Sequence, residues 1–326
     1  MSDVLLEVRD LVAQFETRRG IVHAVDHVDF EVERGETLGI VGESGCGKSA
    51  TGQAIMGLIQ PPGRIVSGEI IFEGDDLLHH SAEDMRRIRG ARISMIFQDP
   101  TTTLNPVLSI GEQIAELLRY HTRLGARAAR ERVIEMLDQV GLPRPAERYK
   151  DFPHEFSGGM QQRVIIACSL ILHPALIIAD EPTTALDVTV QMQILALLER
   201  LQQGESDSSI ILISHDLGVI AQMCERVCVM YGGNIVEQGS AEQVLENPKH
   251  PYTVGLINAI PRLDRSQQAL TPIPGMVADA ARPPPGCKFH PRCARASDIC
   301  RTERPAPRGV GDAHQAACHL YGETAP

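Results

Sequence analysis

Gly42-x4-Gly47-Lys48-Ser49 has the residue types and spacing of a phosphate-binding loop. In such a loop, Gly42, Glu43, Ser44, Gly45, Cys46 and Gly47, with Lys48, Ser49 and Ala50 opening the next helix, surround phosphates with backbone N–H groups and a positive helix end. Lys48 adds a point charge and Ser49 offers a hydroxyl to Mg²⁺. Asp180 and Glu181 follow the apolar run Ile177-Ile178-Ala179, so two carboxylates end a strand. Asp180 could hold a metal ion beside the phosphates, and Glu181 could act as general base on an attacking water. Ser157-Gly158-Gly159-Met160-Gln161 precedes a helix-compatible stretch, giving a second small-residue helix start suited to phosphate.

Positioning these groups requires particular elements. Val28 to Val32 alternates apolar and polar residues like a half-buried strand, Glu33 to Glu36 supplies a turn, and Leu38 to Val41 reads as a buried strand running into the loop. Ala50 to Leu58 is compatible with the helix that must follow. Ile114, Leu117 and Leu118, then Val133, Ile134 and Leu137, recur at helical spacing and predict a largely helical insert. Ala175 to Ala179 and Ile210 to Ile213 suit central parallel strands. The expected architecture is α/β with a helical insertion. From about Pro261 the density of Pro and Gly predicts irregular structure, and a domain boundary is expected near residue 260.

The 326 residues allow one large domain and a smaller one, and 43% hydrophobic with 22% charged residues is a globular composition. A net charge of −11 argues against a protein that wraps nucleic acid. The N-terminus lacks the features of an export signal, and the longest apolar stretch, Val164 to Leu172, is too short to span a bilayer. Of eight cysteines, four fall in the last 40 residues.

Phosphate loop, Ser-Gly-Gly motif, Asp-Glu strand end and a later His215 occur in the order found in ABC ATPases, which the chain resembles. The resemblance implies a P-loop NTPase cassette with an antiparallel β subdomain, a helical subdomain over about residues 99–165, and a small Cys-rich C-terminal domain. On this basis residues 1–260 form the nucleotide-binding domain and 261–326 the C-terminal one. It further implies that two such domains pack head to tail, each ATP lying between one phosphate loop and the other chain's Ser157, Gly158 and Gly159. Gln98 corresponds to the residue that senses Mg²⁺ and contacts the membrane partner, Thr184-Ala185-Leu186-Asp187 to the loop at the dimer seam, and His215 to the γ-phosphate switch. Phe15 lies where an adenine-stacking aromatic is expected, with a core or surface role equally open. Phe156 and Met160 stand where Leu and Gln are commoner in the family. DNA-repair members would add zinc modules or long coiled coils inside the ATPase fold and translation members a second cassette, and a non-catalytic regulator would lack Glu181 or His215, both of which are present; a non-transport ABC ATPase stays as the alternative class.

His250-Pro251-Tyr252-Thr253, Ile273-Pro274-Gly275 and Gly286-Cys287-x2-His290-Pro291-Arg292-Cys293, with Cys300 and Cys318, extend the resemblance to the dipeptide, oligopeptide and nickel importer branch. Four thiols in a segment poor in apolar residues suggest an inorganic centre that substitutes for a core. Members of that branch carry a [4Fe–4S] cluster on this pattern, which would take Cys287, Cys293, Cys300 and Cys318. Zinc, with His290, His314 or His319 replacing a Cys, and free or disulfide-bonded thiols remain alternatives. Cys46, Cys168, Cys224 and Cys228 read as small buried apolar residues. The branch implies two transmembrane permease subunits, a second and different ATPase subunit, an extracytoplasmic peptide-binding protein, and a peripheral position on the cytoplasmic face of a bacterial inner membrane.

Overall fold

A computed structural model of the chain describes residues 3–183, 187–202, 208–259 and 272–322. In chain order its strands are β1 (Val4–Thr17), β2 (Gly20–Glu33), β3 (Thr37–Val41), β4 (Gly63–Phe72), β5 (Asp75–Asp76), β6 (Ile93–Ile96), β7 (Leu176–Asp180), β8 (Ser209–Ser214), β9 (Arg226–Tyr231), β10 (Asn234–Ser240), β11 (Arg308–Gly311) and β12 (His314–Ala316). The chain divides into two units, one built mainly on His79–Leu212, the other on Val4–Val32, Thr37–Leu78 and Ile213 onward.

In the first unit β7 lies between β6 and β8, and every residue of β6 and β7 is buried, Ser94 and Asp180 included, as suits central strands of mostly apolar sequence. β6 and β7 run parallel, with Ile93 opposite Leu176 and Ile96 opposite Ala179. The insert is helical as expected, through Ile110–His121 and Ala126–Gln139. Ser109 caps the first of these by accepting from the Glu112 N–H at 3.4 Å. Ile114, Leu118, Val133 and Leu137 are buried, whereas Leu117 and Ile134 are only half-buried and Ala115 and Met136 occupy the core face instead. An apolar type at the stripe's edge does not fix which neighbour turns inward.

The second unit holds the antiparallel sheet β2-β1-β4-β5 and the strand series β11-β12-β10-β9-β3. β3 pairs parallel with β9, Leu38 opposite Arg226 and Val41 opposite Val229. The tail departs from the irregular structure expected of it: β11 and β12 form a hairpin, and β12 pairs with β10, Glu237 opposite Ala316. Buried Glu237 binds this region together. Its carboxylate accepts from the Lys249 N–H at 2.7 Å and the His250 N–H at 2.8 Å, and the His314 ring nitrogen Nε2 lies 2.8 Å away. Strands of three and four residues carry no periodicity, which is why composition alone missed them. Among the described residues, no helix is long and apolar enough to cross a membrane.

Candidate functional site

The loop after β3 is shaped by its glycines. Gly42 has φ +152°, and a Cβ there would lie 2.3 Å from the Met230 carbonyl oxygen; Gly47 has φ +112°, and a Cβ would lie 2.2 Å from the Ala24 carbonyl oxygen. The helix Lys48–Ile55 starts directly after Gly47, so the strand, loop and helix order is as the sequence predicts. Lys48 is buried, and its Nζ donates to the carbonyl oxygens of Gly42 at 2.7 Å and Glu43 at 3.2 Å. That holds an ammonium inside the loop, next to the helix end, where anionic phosphate is stabilised. Ser44 and Gly45 are exposed at the loop tip, and Ser49 and Ala50 are half-buried. Cys46 is buried, and burial pushes its thiol up, in keeping with a packing role.

Two further expected residues belong to the same unit. Phe15 is half-buried on β1 opposite Gly63, whose missing side chain makes room for the ring: a Cβ there would fall 2.5 Å from Phe15 Cε1. His215 is exposed just beyond β8. The next residue, Asp216, caps the helix Leu217–Met223 by accepting from the Gly218 N–H at 2.8 Å, and its own N–H donates to Ser214 Oγ at 2.9 Å. His215 therefore sits on a turn braced on both sides.

The other unit carries the carboxylates. Asp180 ends β7 and is 4% exposed. Glu181 follows at φ +47°, a left-handed conformation that costs a non-glycine residue about 1 kcal/mol or more. Gln98, exposed two residues past β6, donates Nε2 to Glu181 Oε2 at 3.0 Å. The register dictates this meeting, since Ile96 opposite Ala179 puts residues 98 and 181 side by side. The sequence marked both residues but not their contact, because only strand order makes them neighbours. Ser157 precedes the helix Gly158–Leu170 without capping it through its side chain; Ser157 and Gly158 are exposed and Gly159 is half-buried. Phe156 is buried beneath the Arg148 guanidinium, 5.3 Å from its ring, so its substitution for Leu keeps an apolar anchor. Asp187 is exposed and accepts from the Val190 N–H at 2.9 Å. Thr184, Ala185 and Leu186 lie outside the described residues.

Cys287, Cys293, Cys300 and Cys318 line one cavity, with His250, Phe289, His290 and His319 among its walls. Burial, reinforced by the neighbouring thiols, pushes Cys287 up to about 11; burial likewise raises Cys293 and Cys318. His290 Nδ1 lies 2.9 Å from the Cys287 carbonyl oxygen and His319 Nε2 2.9 Å from that of Glu303, while His314 is held by Glu237 and does not line the cavity. Among the described residues, no three His, Cys, Asp or Glu side chains are grouped so as to hold a metal ion. Cys224 and Cys228 are buried; Cys168 is half-buried, its thiol pushed up to about 12 by burial.

The ABC transporter family matches residues 25–184, and the oligopeptide/dipeptide transporter C-terminal region matches residues 236–300. The chain is 49% identical to the dipeptide transport ATP-binding protein DppD of Bacillus subtilis, over 98% of its own length and 96% of the relative's. It is 50% identical to the oligopeptide transport ATP-binding protein OppD of the same organism, over 99% and 90% of the two chains. DppD of Escherichia coli is 45% identical, over 97% and 96%. Among solved structures, the dimeric, post-hydrolysis ATP-binding cassette MJ0796 bound to ADP and Pi superimposes with a TM-score of 0.66 at 26% identity, covering 72% of this chain and 98% of that one. CbiO1 of Clostridium perfringens, part of the ABC transporter complex CbiONQ, gives 0.64 at 28%, covering 81% and 97%. Loop, strand-end carboxylates and nearly end-to-end identity agree: this chain belongs to the ATP-binding proteins of ABC transporters and is an ATPase.

Proposed function

We propose that this chain hydrolyses ATP to energise the import of dipeptides or oligopeptides, with nickel as the alternative cargo. The observation that carries the peptide reading is the C-terminal match over residues 236–300, in a chain 49% identical to a dipeptide transport protein. In this reading residues 1–260 are the nucleotide-binding domain and 261–326 the C-terminal domain. The partners are two transmembrane permease subunits, a second and different ATPase subunit, and an extracytoplasmic peptide-binding protein, with the chain peripheral on the cytoplasmic face of the inner membrane.

The residues divide the work. The loop from Gly42 to Ala50 binds the phosphates, with Lys48 neutralising charge, and Phe15 stacks on the base. Ser49, Gln98 and Asp180 hold Mg²⁺, which when bound offsets charge on the phosphate oxygens. Glu181, its carboxylate held by the Gln98 amide at 3.0 Å, takes the proton of the attacking water, and His215 contacts the γ-phosphate. Ser157, Gly158 and Gly159 present their helix end to the nucleotide of the opposing subunit, with Asp187 at the seam. Closure on ATP drives the permease toward one access state, and hydrolysis reopens it.

Cys287, Cys293, Cys300 and Cys318 are proposed to hold a [4Fe–4S] cluster, zinc being the alternative. Four thiols on one cavity are the donor set such a cluster takes. Because burial keeps Cys287 protonated at neutral pH, loading either centre must release protons.

The test is transport by vesicles holding the assembled importer. Uptake of labelled dipeptide that requires ATP supports the reading; nickel uptake without peptide uptake replaces the cargo, and neither would refute it.

A further inference from the structure

Three tail motifs that nucleotide chemistry does not use converge on one loop residue, Glu43. Arg292, beside Cys293, donates Nη1 to Glu43 Oε2 at 2.7 Å and Nη2 to Glu43 Oε1 at 3.0 Å, a two-pronged pair in which the arginine side chain is only 4% exposed and the glutamate 27%. The rest of the guanidinium is engaged by Ile273-Pro274: Nε donates to the Pro274 carbonyl oxygen at 3.0 Å and Nη2 also reaches that of Ile273 at 3.5 Å. Tyr252 accepts from the Glu43 backbone N–H at 2.8 Å through its hydroxyl. Glu43 is thus gripped at side chain and backbone, and its carbonyl oxygen is one of the two that hold Lys48.

The grip rests on a stiff base. A chain with 4% aromatic residues gathers Tyr231, Tyr252 and Phe289 with ring centroids 4.7 to 5.4 Å apart, and the Arg292 guanidinium lies 5.8 and 5.9 Å from the Tyr231 and Phe289 rings. A guanidinium fixed by four hydrogen bonds and two ring faces has little freedom left to lose, so its contact with the loop is preorganised. Lysine could supply the charge but not the fork.

We propose that Arg292 is a positioning residue for the nucleotide site: acting through Glu43, and with Tyr252 holding the same residue's backbone, it fixes the phosphate loop in its ATP-binding shape and couples the Cys-lined tail to ATP affinity. Two expectations follow from the geometry. Loosening the clamp weakens ATP binding while leaving the hydrolytic residues of the other unit untouched, so the effect falls on affinity rather than on turnover at saturation. Arg292 and Glu43 also act as one element, so removing the second after the first costs nothing more.

The experiment is a double-mutant cycle on the full-length chain with Arg292→Gln, Glu43→Gln and both together, with Tyr252→Phe as a third variant that leaves the ion pair in place. Binding of a fluorescent ATP analogue is read alongside kcat and the melting temperature. Each single variant is expected to weaken binding about 5- to 20-fold, the pair no more than the worse single, with kcat at saturation within twofold for Arg292→Gln and Tyr252→Phe, whose residues lie outside the loop. Glu43→Gln leaves every tail residue in place, so it keeps the test valid if Arg292→Gln fails to fold. Unchanged affinity in Glu43→Gln, or additive losses in the double variant, would overturn the proposal and leave the contact a stabilising one only. Binding does not require turnover, so a chain that binds the analogue but moves no peptide would count against the transport reading and not against the clamp.

Discussion

Gln98 and Glu181 meet at 3.0 Å, amide to carboxylate, just past the ends of two parallel strands whose register already sets them opposite each other. The amide fixes one carboxylate oxygen, and the left-handed backbone of Glu181 turns the side chain out of the strand line toward it. Gln98→Ala should therefore lower kcat about tenfold beyond any loss of affinity from its proposed share in holding Mg²⁺, because the proposed general base, out of position, loses part of the 10²–10⁴-fold that such groups contribute. Steady-state ATPase of the two chains, with KM and kcat separated, checks it. A fall in affinity with kcat unchanged would leave Gln98 its share in holding Mg²⁺ and remove its role in positioning Glu181.

Asp26 anchors the tail to the N-terminal strands. It accepts from Lys288 at 2.7 Å and from Arg304 at 3.3 Å, with Asn234 on its other side. Burial alone would push this carboxyl up; the hydrogen bond and charge of Lys288, with Arg304 and Asn234, outweigh it and hold it below its ordinary 3.8. Asp26→Asn leaves Lys288, whose side chain is 12% exposed, without its counter-charge and should cost about 2–4 kcal/mol, read as a melting temperature lowered by several degrees.

The same carboxyl makes an acid-range prediction. The folded form binds its proton less readily than the unfolded one, so the stabilisation is complete above about pH 4 and is lost as pH falls through the folded value. The stability gap between wild type and Asp26→Asn should be constant near pH 5 to 6 and shrink below 3.8. A gap that persists undiminished at low pH would place the cost in packing and not in charge.

For the Cys-lined cavity, metal and acid-labile sulfide on anaerobically purified protein decide between centres. About four iron and four sulfide per chain with a broad visible absorption band are expected, and Cys293→Ser should lower both. One zinc and no sulfide would make the tail a zinc module.

Much of the nucleotide site was legible because its parts are local. The phosphate loop, the Asp180-Glu181 strand end and the Ser157 helix start each declare themselves within a few residues, and each lies on the element expected. What the sequence hid is pairwise and long-range. The meeting of residues 98 and 181 needs the order of β6 and β7, and the grip of Arg292 on Glu43 spans 249 positions. β1 and β4, which pair from Leu6 opposite Phe72 to Phe15 opposite Gly63, went unread because bulges between Arg9 and Ala13 break their alternation. The tail read as irregular because β11 and β12 are too short to show a period and gain stability only by joining β10.

ATP turnover by the assembled transporter, compared between wild type and Glu181→Gln, tests the central claim most directly. The variant keeps shape and hydrogen bonding but cannot accept a proton, so it should bind ATP, hold the closed dimer and turn over at least about 100-fold more slowly. Rapid turnover by that variant would contradict the assignment of Glu181 as the base, and with it the mechanism built on the Gln98 pair.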